Sequence, residues 1–352
     1  MNLAKQLPEG NEKPFGFSDG KVYSNYVALD WSMKTMSIAT MKAAGRKPRV
    51  VEMEANVDLI KAYAKRLQGS SLLCFEETTG SHWLYVELKD YFDEIIVCDP
   101  YCNALLANGA KTDKIDAAKL CLLLRGHMLK PVYHSLHQAY QLRKLVNAYL
   151  HHNKQLVRLK NQKSAFYRSV GKAYKRSTLV GDNEMERFIY ETQEEAIGFF
   201  VEKQAQYKQL FARLVRDNQT MRNLKQITGI GDVFAVIIYS TVVEAARFPD
   251  KYHYWSYCGL VKHIRQSGGS IYGYRNGRFS RKLKWVYTTA AMVAISHRND
   301  LRAYYEHLLT KNYPLHRASR QLARYIAKCS WAMMKNNTPY QPYRWRKTMP
   351  KD

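Results

Sequence analysis

Between residues 22 and 125, short apolar segments of strand length alternate with segments of helical periodicity. The patterns predict strands at 22–29, 35–41, 49–54, 71–75 and 94–98, and helices at 57–67, 84–92 and 114–124. The first two strands are expected to form a hairpin. Strands and helices in this order predict a mixed α/β layer fold, because each apolar sheet face must be covered by helices.

The rest of the chain has helical patterns. In residues 138–170, nine positions follow one another at alternating intervals of three and four residues. They are Leu142, Leu145, Tyr149, His152, Leu156, Leu159, Lys163, Phe166 and Val170, and all except His152 and Lys163 are apolar. Such a seam indicates helix pairing or a coiled coil, although an amphipathic helix packed on its own domain has the same pattern. The acid-containing residues 186–218 are predicted to return antiparallel. From residue 221 onward, two helices around a glycine turn precede a polar, glycine-rich region at 266–280 and further helices at 282–297 and 301–334.

These patterns predict five regions. They are a flexible extension at 1–21, an α/β domain at 22–130, a helical region at 131–220, a mainly α domain at 221–340, and a basic tail at 341–352 that is flexible or laid on a partner.

The charge of the chain is distributed in blocks. Lys and Arg number 55 against 30 Asp and Glu, for a formal net charge of +25. No acid occurs in 117–181, 251–299 or 307–351, which contain 13, nine and ten basic residues. Long acid-free segments favour a nucleic acid partner, although a ribosomal or membrane-surface protein would share the charge. No apolar run approaches the roughly 18 residues of a membrane span. The six cysteines include no C-x-x-C pair, and we expect reduced thiols in a cytoplasmic protein.

Four acids form a candidate metal site. Asp30 ends a predicted strand, Glu77 follows another, and Asp113 and Asp116 are spaced to share a helix face. Oxygen ligands of this kind suit Mg²⁺ or Mn²⁺, which stabilise phosphodiester chemistry. Each acid alone has a simpler interpretation as a turn or cap residue, Asp113 as an N-cap in particular. Spacing alone does not choose between Glu76 and Glu77.

Two glycine-containing segments are candidate nucleic acid contacts. Gly229 and Gly231 fit a helix-hairpin-helix that grips phosphate, or a plain helix–helix turn. Ser267, followed by two glycines, is a candidate nucleophile, with Ser270 and Ser280 as alternatives. The basic residues assigned to nucleic acid binding lie around this serine or in the long helix: Arg265, Arg275, Arg278, Arg281, Lys282, Lys284, Arg158 and Lys160.

Several motifs together resemble one protein family. VALDWSMKT, ETTG and KTDKIDAAKL resemble the RuvC-like DEDD domain of the insertion sequence 110 family of transposases. ITGIGDVFAVII, RFPDKYHYWSYCGL and QSGGSIYGYRNGR resemble its C-terminal transposase domain. The resemblance covers about residues 22–340. It selects Glu77 and Ser267, and it implies an RNase H-like N-terminal domain, a dimerising coiled-coil middle region and a mainly α C-terminal domain with a helix-hairpin-helix.

The family resemblance implies a bacterial, nucleoid-associated recombinase. Its serine is expected to attack a DNA phosphodiester, assisted by Mg²⁺ at Asp30, Glu77, Asp113 and Asp116. A noncoding bridge RNA is expected to pair with target and donor DNA. Two homodimers would form a tetramer in which the acids of one protomer meet the serine of another. The alternatives are a RuvC-type nuclease or DNA invertase without an RNA guide, and a non-catalytic nucleic-acid-binding protein.

Overall fold

The computed structural model describes residues 20–102, 112–133, 137–171 and 183–347. Most of the predicted N-terminal extension and the end of the predicted basic tail therefore lie outside the described residues. The chain divides into two compact units, with the division between His137 and Gln138.

The first unit is a five-stranded mixed sheet with helices on both faces. Its strands are β1 (Asn25–Trp31), β2 (Thr35–Lys42), β3 (Arg49–Glu54), β4 (Ser71–Glu76) and β5 (Glu94–Cys98), and its helices are α1 (Val57–Lys65), α2 (Ser81–Leu88) and α3 (Asp113–Arg125). The strand order is β3-β2-β1-β4-β5. β1, β2 and β3 are antiparallel neighbours, whereas β4 and β5 run parallel to β1. The predicted mixed α/β fold is confirmed.

Successive side chains of a strand point to opposite sides of the sheet, and apolar residues of β1 and β4 occupy both sides. Ala28 and Cys74 belong to one buried cluster, which α3 covers with residues such as Leu120. Leu29 and Phe75 belong to a second cluster, which includes apolar residues of α1 and α2. We call the first side of the sheet the α3 face. The register therefore decides which polar residues at the strand ends lie beside α3.

The start of β1 and the position of α2 differ most from the prediction. β1 begins at Asn25 instead of residue 22, and α2 covers Ser81–Leu88 instead of 84–92. The Ser81 hydroxyl donates to the Thr78 carbonyl at 2.9 Å and brings the start of α2 forward. Asp93 accepts a hydrogen bond from the Ser71 backbone at 2.7 Å, so the chain must leave α2 early to enter β5.

The second unit is mostly helical, as predicted, with one β-hairpin. Its helices are α4 (His137–Ser169), α5 (Glu184–Asp217), α6 (Gln219–Lys225), α7 (Asp232–Val242), α8 (Lys251–Tyr257), α9 (Arg281–Ser296), α10 (Asp300–Thr310), α11 (Leu315–Asn336) and α12 (Arg344–Lys347). The hairpin strands are β6 (His263–Ser267) and β7 (Ser270–Arg275). One buried cluster joins the base of α4 and α5 to the helices that follow. The predicted helical and mainly α regions therefore share a core.

Helices α4 and α5 pair in antiparallel orientation. The rings of Tyr149 and Phe211 lie 5.2 Å apart, and Gln204 donates to Asn153 at 2.6 Å. The predicted seam is thus covered by a helix of the same chain. Val146 and Tyr167 are fully buried, whereas the predicted seam positions one residue earlier, Leu145 and Phe166, are only half-buried. Dimerisation through this region stays a prediction.

A buried cation lies between the two long helices. The Lys163 side chain is 4% exposed, bonds Glu194, and lies 4.8 Å from the ring centroid of Tyr190. Burial alone would lower the pKa of Lys163, but the hydrogen bond to Glu194 raises it above its ordinary value. This pair fixes the register of α4 against α5.

Glu194→Ala should destabilise the helical unit by about 2 kcal/mol, because it leaves the buried Lys163 ammonium without its carboxylate. Glu195→Ala, an exposed neighbour on the same helix, is the matched control and should change stability by about 0.5 kcal/mol or less. Urea unfolding followed by circular dichroism measures both variants. Equal midpoints for the two would show that the pair contributes nothing to stability.

Residues 340–347 pack on the core of their own unit, whereas the prediction for 341–352 was a tail that is flexible or laid on a partner. The Tyr340 hydroxyl donates to Asp300 at 2.5 Å, and Trp345 is 6% exposed between neighbouring rings. The rings of Tyr304 and His307 lie 5.5 Å and 5.4 Å from that of Trp345. Aromatic burial in this otherwise basic segment explains the difference.

No strand was predicted in the polar, glycine-rich region at 266–280, but β6 and β7 occupy most of it. Gly268 and Gly269 have φ values of +54° and +79°, which suit a two-residue hairpin turn. Among the helices of the described residues, none is long and apolar enough to cross a bilayer.

Candidate functional site

A row of polar residues crosses the sheet where β1 and β4 end. The parallel pairing of β1 with β4 ends with Leu29 opposite Phe75, so Asp30 and Glu76 are neighbours one step further on. On the other side of β1, Asp30 pairs with Ser37, which pairs with Glu52 of β3. Side-chain alternation places Asp30, Ser37, Glu52 and Glu76 on the α3 face.

Helix α3 directs its two aspartates toward this row. The buried stripe of α3 that faces the sheet includes Ala117, Leu120 and Cys121. Asp113 and Asp116 lie one turn before these residues and extend the same stripe. The Cys121 thiol donates to the Tyr26 carbonyl near the start of β1 at 3.3 Å. The helix therefore runs back along β1, and its first turn lies toward Asp30.

The first turn of α3 is held in place by two polar contacts. Lys114 bonds Glu52 of the row at 2.6 Å. The Thr112 hydroxyl accepts from the Ile115 backbone at 3.3 Å and is the N-cap of α3. The interpretation of Asp113 as an N-cap is therefore wrong. Asp113 is instead the first residue of the helix, with an exposed carboxylate.

Two buried oxygen atoms at this corner have no hydrogen-bond partner among the described residues. They are the hydroxyl of Ser37 and one carboxylate oxygen of Asp116. A buried carboxylate oxygen without a donor is costly, and a hydrated divalent cation would satisfy it. Within the part of the chain that the structure describes, no three His, Cys, Asp or Glu residues already hold a metal-binding geometry. By register and helical spacing, Asp30, Asp113 and Asp116 lie on the same side of the sheet, and their all-oxygen chemistry fits Mg²⁺ or Mn²⁺.

The two candidate glutamates differ in setting. Glu76 is half-buried and, by register, neighbours Asp30 on the α3 face. Glu77 is exposed just beyond β4, where its backbone N–H donates to the Cys98 carbonyl at 2.9 Å. The pleat fixes the direction of Glu76 only, since Glu77 follows the last residue of the strand. The register and the motif thus favour different glutamates at the same sheet edge.

Sequence reasoning missed two polar residues in this region. Ser37 is fully buried beside Asp30, and its place opposite a strand-end acid could have identified it. Asp99 is 5% exposed just after β5 and accepts from the Tyr101 backbone at 3.0 Å and the Cys102 thiol at 3.3 Å. These contacts give Asp99 a turn-forming role.

The glycine turn between α6 and α7 is built for packing. Gly229 has a φ of +92°, and a Cβ there would lie 2.4 Å from the Ala290 carbonyl oxygen of α9. Lys225 and Asp232 form an ion pair of 2.7 Å across the turn. Gly231 precedes α7 and has open space beside it. Packing explains the need for glycine at 229, and the contact of both glycines with nucleic acid stays a prediction.

The three candidate serines occupy different positions. Ser267 and Ser270 are exposed and flank the two-glycine turn of the hairpin. Ser280 accepts from the Leu283 backbone at 3.3 Å as the N-cap of α9, and its own N–H donates to the Tyr257 carbonyl at 2.7 Å. The structure gives Ser280 a structural role, and the two hairpin serines are left as accessible hydroxyls.

Most of the basic candidates are exposed: Arg158, Lys160, Arg265, Arg275, Arg278 and Arg281. Lys284 lies 4.9 Å from the ring centroid of Phe279. Lys282 bonds Asn147 of α4, and burial, followed by the charge of Arg143, lowers its pKa. Lys282 therefore links α9 to α4 and is less available to phosphate than its exposed neighbours.

Comparisons with known proteins match both units. A transposase family model, DEDD_Tnp_IS110, matches residues 27–170, and a model described as Transposase IS116/IS110/IS902 family matches 221–306. The chain is also 29% identical over 119 residues to the "Insertion element IS110 uncharacterized 43.6 kDa protein" of Streptomyces coelicolor. That match covers 34% of this chain and only 29% of the relative.

Proposed function

Because the chain belongs to the IS110 family of insertion-sequence transposases, we propose that it cleaves and rejoins DNA through Ser267, assisted by a divalent metal at Asp30, Glu77, Asp113 and Asp116. The observation that carries this proposal is the acidic corner, where Asp30 and both aspartates of α3 face the same end of the sheet. This arrangement and the mixed sheet support an RNase H-like domain that holds Mg²⁺, with Mn²⁺ as a substitute.

In the proposed reaction, the Ser267 Oγ forms a bond to phosphorus as the bond from phosphorus to one deoxyribose oxygen breaks. The serine proton passes to solvent, and the freed oxygen takes up a proton. The phosphoserine bond keeps the strand attached, so attack by another DNA hydroxyl rejoins it and releases the serine. The bound metal would withdraw charge from the phosphate oxygens. Arg265 and Arg275, exposed on the hairpin, bind the DNA backbone and orient it toward Ser267.

The nucleic acid partners are proposed to be target DNA, donor DNA and a noncoding bridge RNA. The three acid-free segments support a large polyanionic partner. Arg158 and Lys160 on α4 would contact backbone phosphates. We also propose a homodimer, formed through the helical region, that assembles into a tetramer in which the acids of one protomer act with the serine of another.

Sequencing the RNA that copurifies with the full chain tests the guided form of this function. We expect one structured species to be enriched, because a guide is bound specifically and protects its own length from nuclease. A variant with Arg158→Glu and Lys160→Glu should retain less RNA, since two exposed cations of α4 become anions. Random cellular RNA in the wild-type preparation would instead favour a recombinase or nuclease without a guide.

We expect Glu77→Gln to weaken Mn²⁺ binding and Mg²⁺-dependent cleavage by at least about 100-fold, because a neutral amide replaces an anionic ligand in a site of strong local charge. Glu76→Gln is the matched neighbour and should retain binding within about threefold, a difference of less than 1 kcal/mol. Calorimetric titration with Mn²⁺ and a cleavage assay measure both variants. The reverse order of effects would assign the ligand to Glu76, which the register places beside Asp30.

A further inference from the structure

The β6–β7 hairpin exposes an unusual amount of apolar surface. Every residue of its two strands is exposed except the half-buried Gly273. Its large apolar side chains are 53–66% exposed and comprise Ile264, Ile271, Tyr272 and Tyr274. A two-stranded hairpin has no core of its own, so these side chains face water unless a partner covers them.

The register separates the apolar side chains from the polar ones. Ile264 pairs with Tyr274, and Gln266 pairs with Ile271. The alternate pairs are His263 with Arg275, Arg265 with Gly273, and Ser267 with Ser270. Because successive residues point to opposite faces, the hairpin has one apolar face and one polar face that carries both serines. We call these the apolar face and the serine face.

An irregularity in the register adds one unpaired residue to β7. The pairing shifts between Arg265 and Gln266, and Tyr272 is the extra residue on β7. A bulge of this kind bends and twists a hairpin and redirects the local side chains. Tyr272 thereby adds a second exposed ring within two residues of Tyr274. The two rings make this end of the hairpin suited to flat, aromatic partners.

We propose that the apolar face inserts against the bases of the bound DNA and separates neighbouring base pairs, while the serine face meets the backbone of the same DNA. This inference rests on the proposed function and identifies how the hairpin would engage its substrate. A two-stranded ribbon fits a DNA groove, and apolar wedges unstack base steps in known complexes. Unstacking would expose the phosphodiester to Ser267 and allow strands to exchange.

Charge complementarity favours DNA over a protein partner on this face. Residues 251–299 hold nine basic residues and no acid, so phosphate is attracted to the same segment that presents Ile264 and Tyr274. Two copies that paired through this face would bring together two segments that each hold nine basic residues and no acid, and the like charges would repel. Tyrosine rings also stack on bases of any sequence, as a sequence-independent wedge requires.

The experiment uses the full chain with its copurified RNA and DNA that carries the ends of its own element. 2-Aminopurine replaces single bases on either side of the cleavage position that the wild type defines. With EDTA present to prevent cleavage, we expect wild-type binding to raise the fluorescence of at least one labelled step, because unstacking relieves quenching. A variant with Ile264→Ser and Tyr274→Ser should lose this rise and cleave about 10- to 100-fold more slowly.

Tyr252→Ser is the matched control, because Tyr252 is 59% exposed in the same acid-free segment but lies on α8. It should keep the fluorescence rise. Thermal melting checks that both variants fold. Because the substituted residues are exposed, the melting temperature of each variant should equal that of the wild type. The proposal is overturned if wild-type binding gives no rise at any step, or if the hairpin variant keeps the wild-type rise. Loss of self-association in the hairpin variant, with the rise retained, would also overturn it and identify a second copy as the partner.

The covalent protein–DNA adduct separates this inference from the proposed function. If the wild type forms an adduct through Ser267 but no base unstacks, only the wedge is wrong. If bases unstack on binding but no adduct forms under any metal condition, the serine chemistry is wrong and the wedge stands.

Discussion

Ser267→Ala is expected to abolish covalent attachment of the protein to DNA and to lower recombination by at least about 10³-fold, as removal of an enzyme nucleophile does. The exposed hydroxyl lies at the end of β6 beside the two-glycine turn, and the space beside both glycines is open. Alanine removes only the oxygen atom and keeps the strand geometry. DNA binding should therefore stay within about twofold of wild type, since phosphate contacts supply most of the affinity.

Ser270→Ala is the matched control for this experiment. Ser270 pairs with Ser267 across the hairpin and shares its face and exposure. Adduct formation on denaturing gels, with radiolabelled DNA, measures both variants, and mass spectrometry of the adduct locates the attached residue. If Ser270→Ala loses the adduct and Ser267→Ala keeps it, the nucleophile is the other hairpin serine. If both variants recombine DNA normally, the serine mechanism is wrong.

The sequence predicted the first unit well because local patterns and tertiary contacts agree there. The segments that form β3 and β5 have strand patterns whose apolar residues are half-buried in β3 and mostly buried in β5, so the predicted limits match the observed ones. The faces of Asp30, Asp113 and Asp116 also follow from periodicity alone. The choice between Glu76 and Glu77 does not, because it depends on the register of two strands that are distant in the sequence.

The second unit shows where local patterns are insufficient. Gly229 looked like a phosphate contact, but its need for glycine comes from the backbone of α9 at Ala290, about 60 residues away in the sequence. The glycine-rich segment around Ser267 gave no strand prediction, because residues that favour strands, such as Tyr272, occur there over only a few positions. Trp345 is buried in a segment of basic composition, and composition does not reveal such a contact.

Asp116→Asn is expected to lower Mg²⁺-dependent DNA cleavage and joining by at least about 100-fold and to weaken Mn²⁺ binding comparably. One of its carboxylate oxygens is buried without a hydrogen-bond partner at the end of the α3 stripe that faces Asp30. Asparagine keeps the shape but lacks the negative charge that holds a divalent ion. The exposed Asp90→Asn, at the end of α2 in the same unit, is the charge-matched control and should behave as wild type.

A comparison of Asp116→Asn with Ser267→Ala, each as a single variant, also decides between the rival functions. In the proposed recombinase, each change alone removes strand joining, because the metal lowers the barrier to the same phosphoryl transfer that the serine begins. A RuvC-type nuclease would lose cleavage with Asp116→Asn but keep metal-dependent cleavage with Ser267→Ala, since water would be its nucleophile. A non-catalytic binding protein would bind DNA equally well in both variants, and neither the variants nor the wild type would cleave it. Unchanged Mn²⁺ binding in Asp116→Asn would show that the acids of this corner do not hold a metal, whatever the serine does.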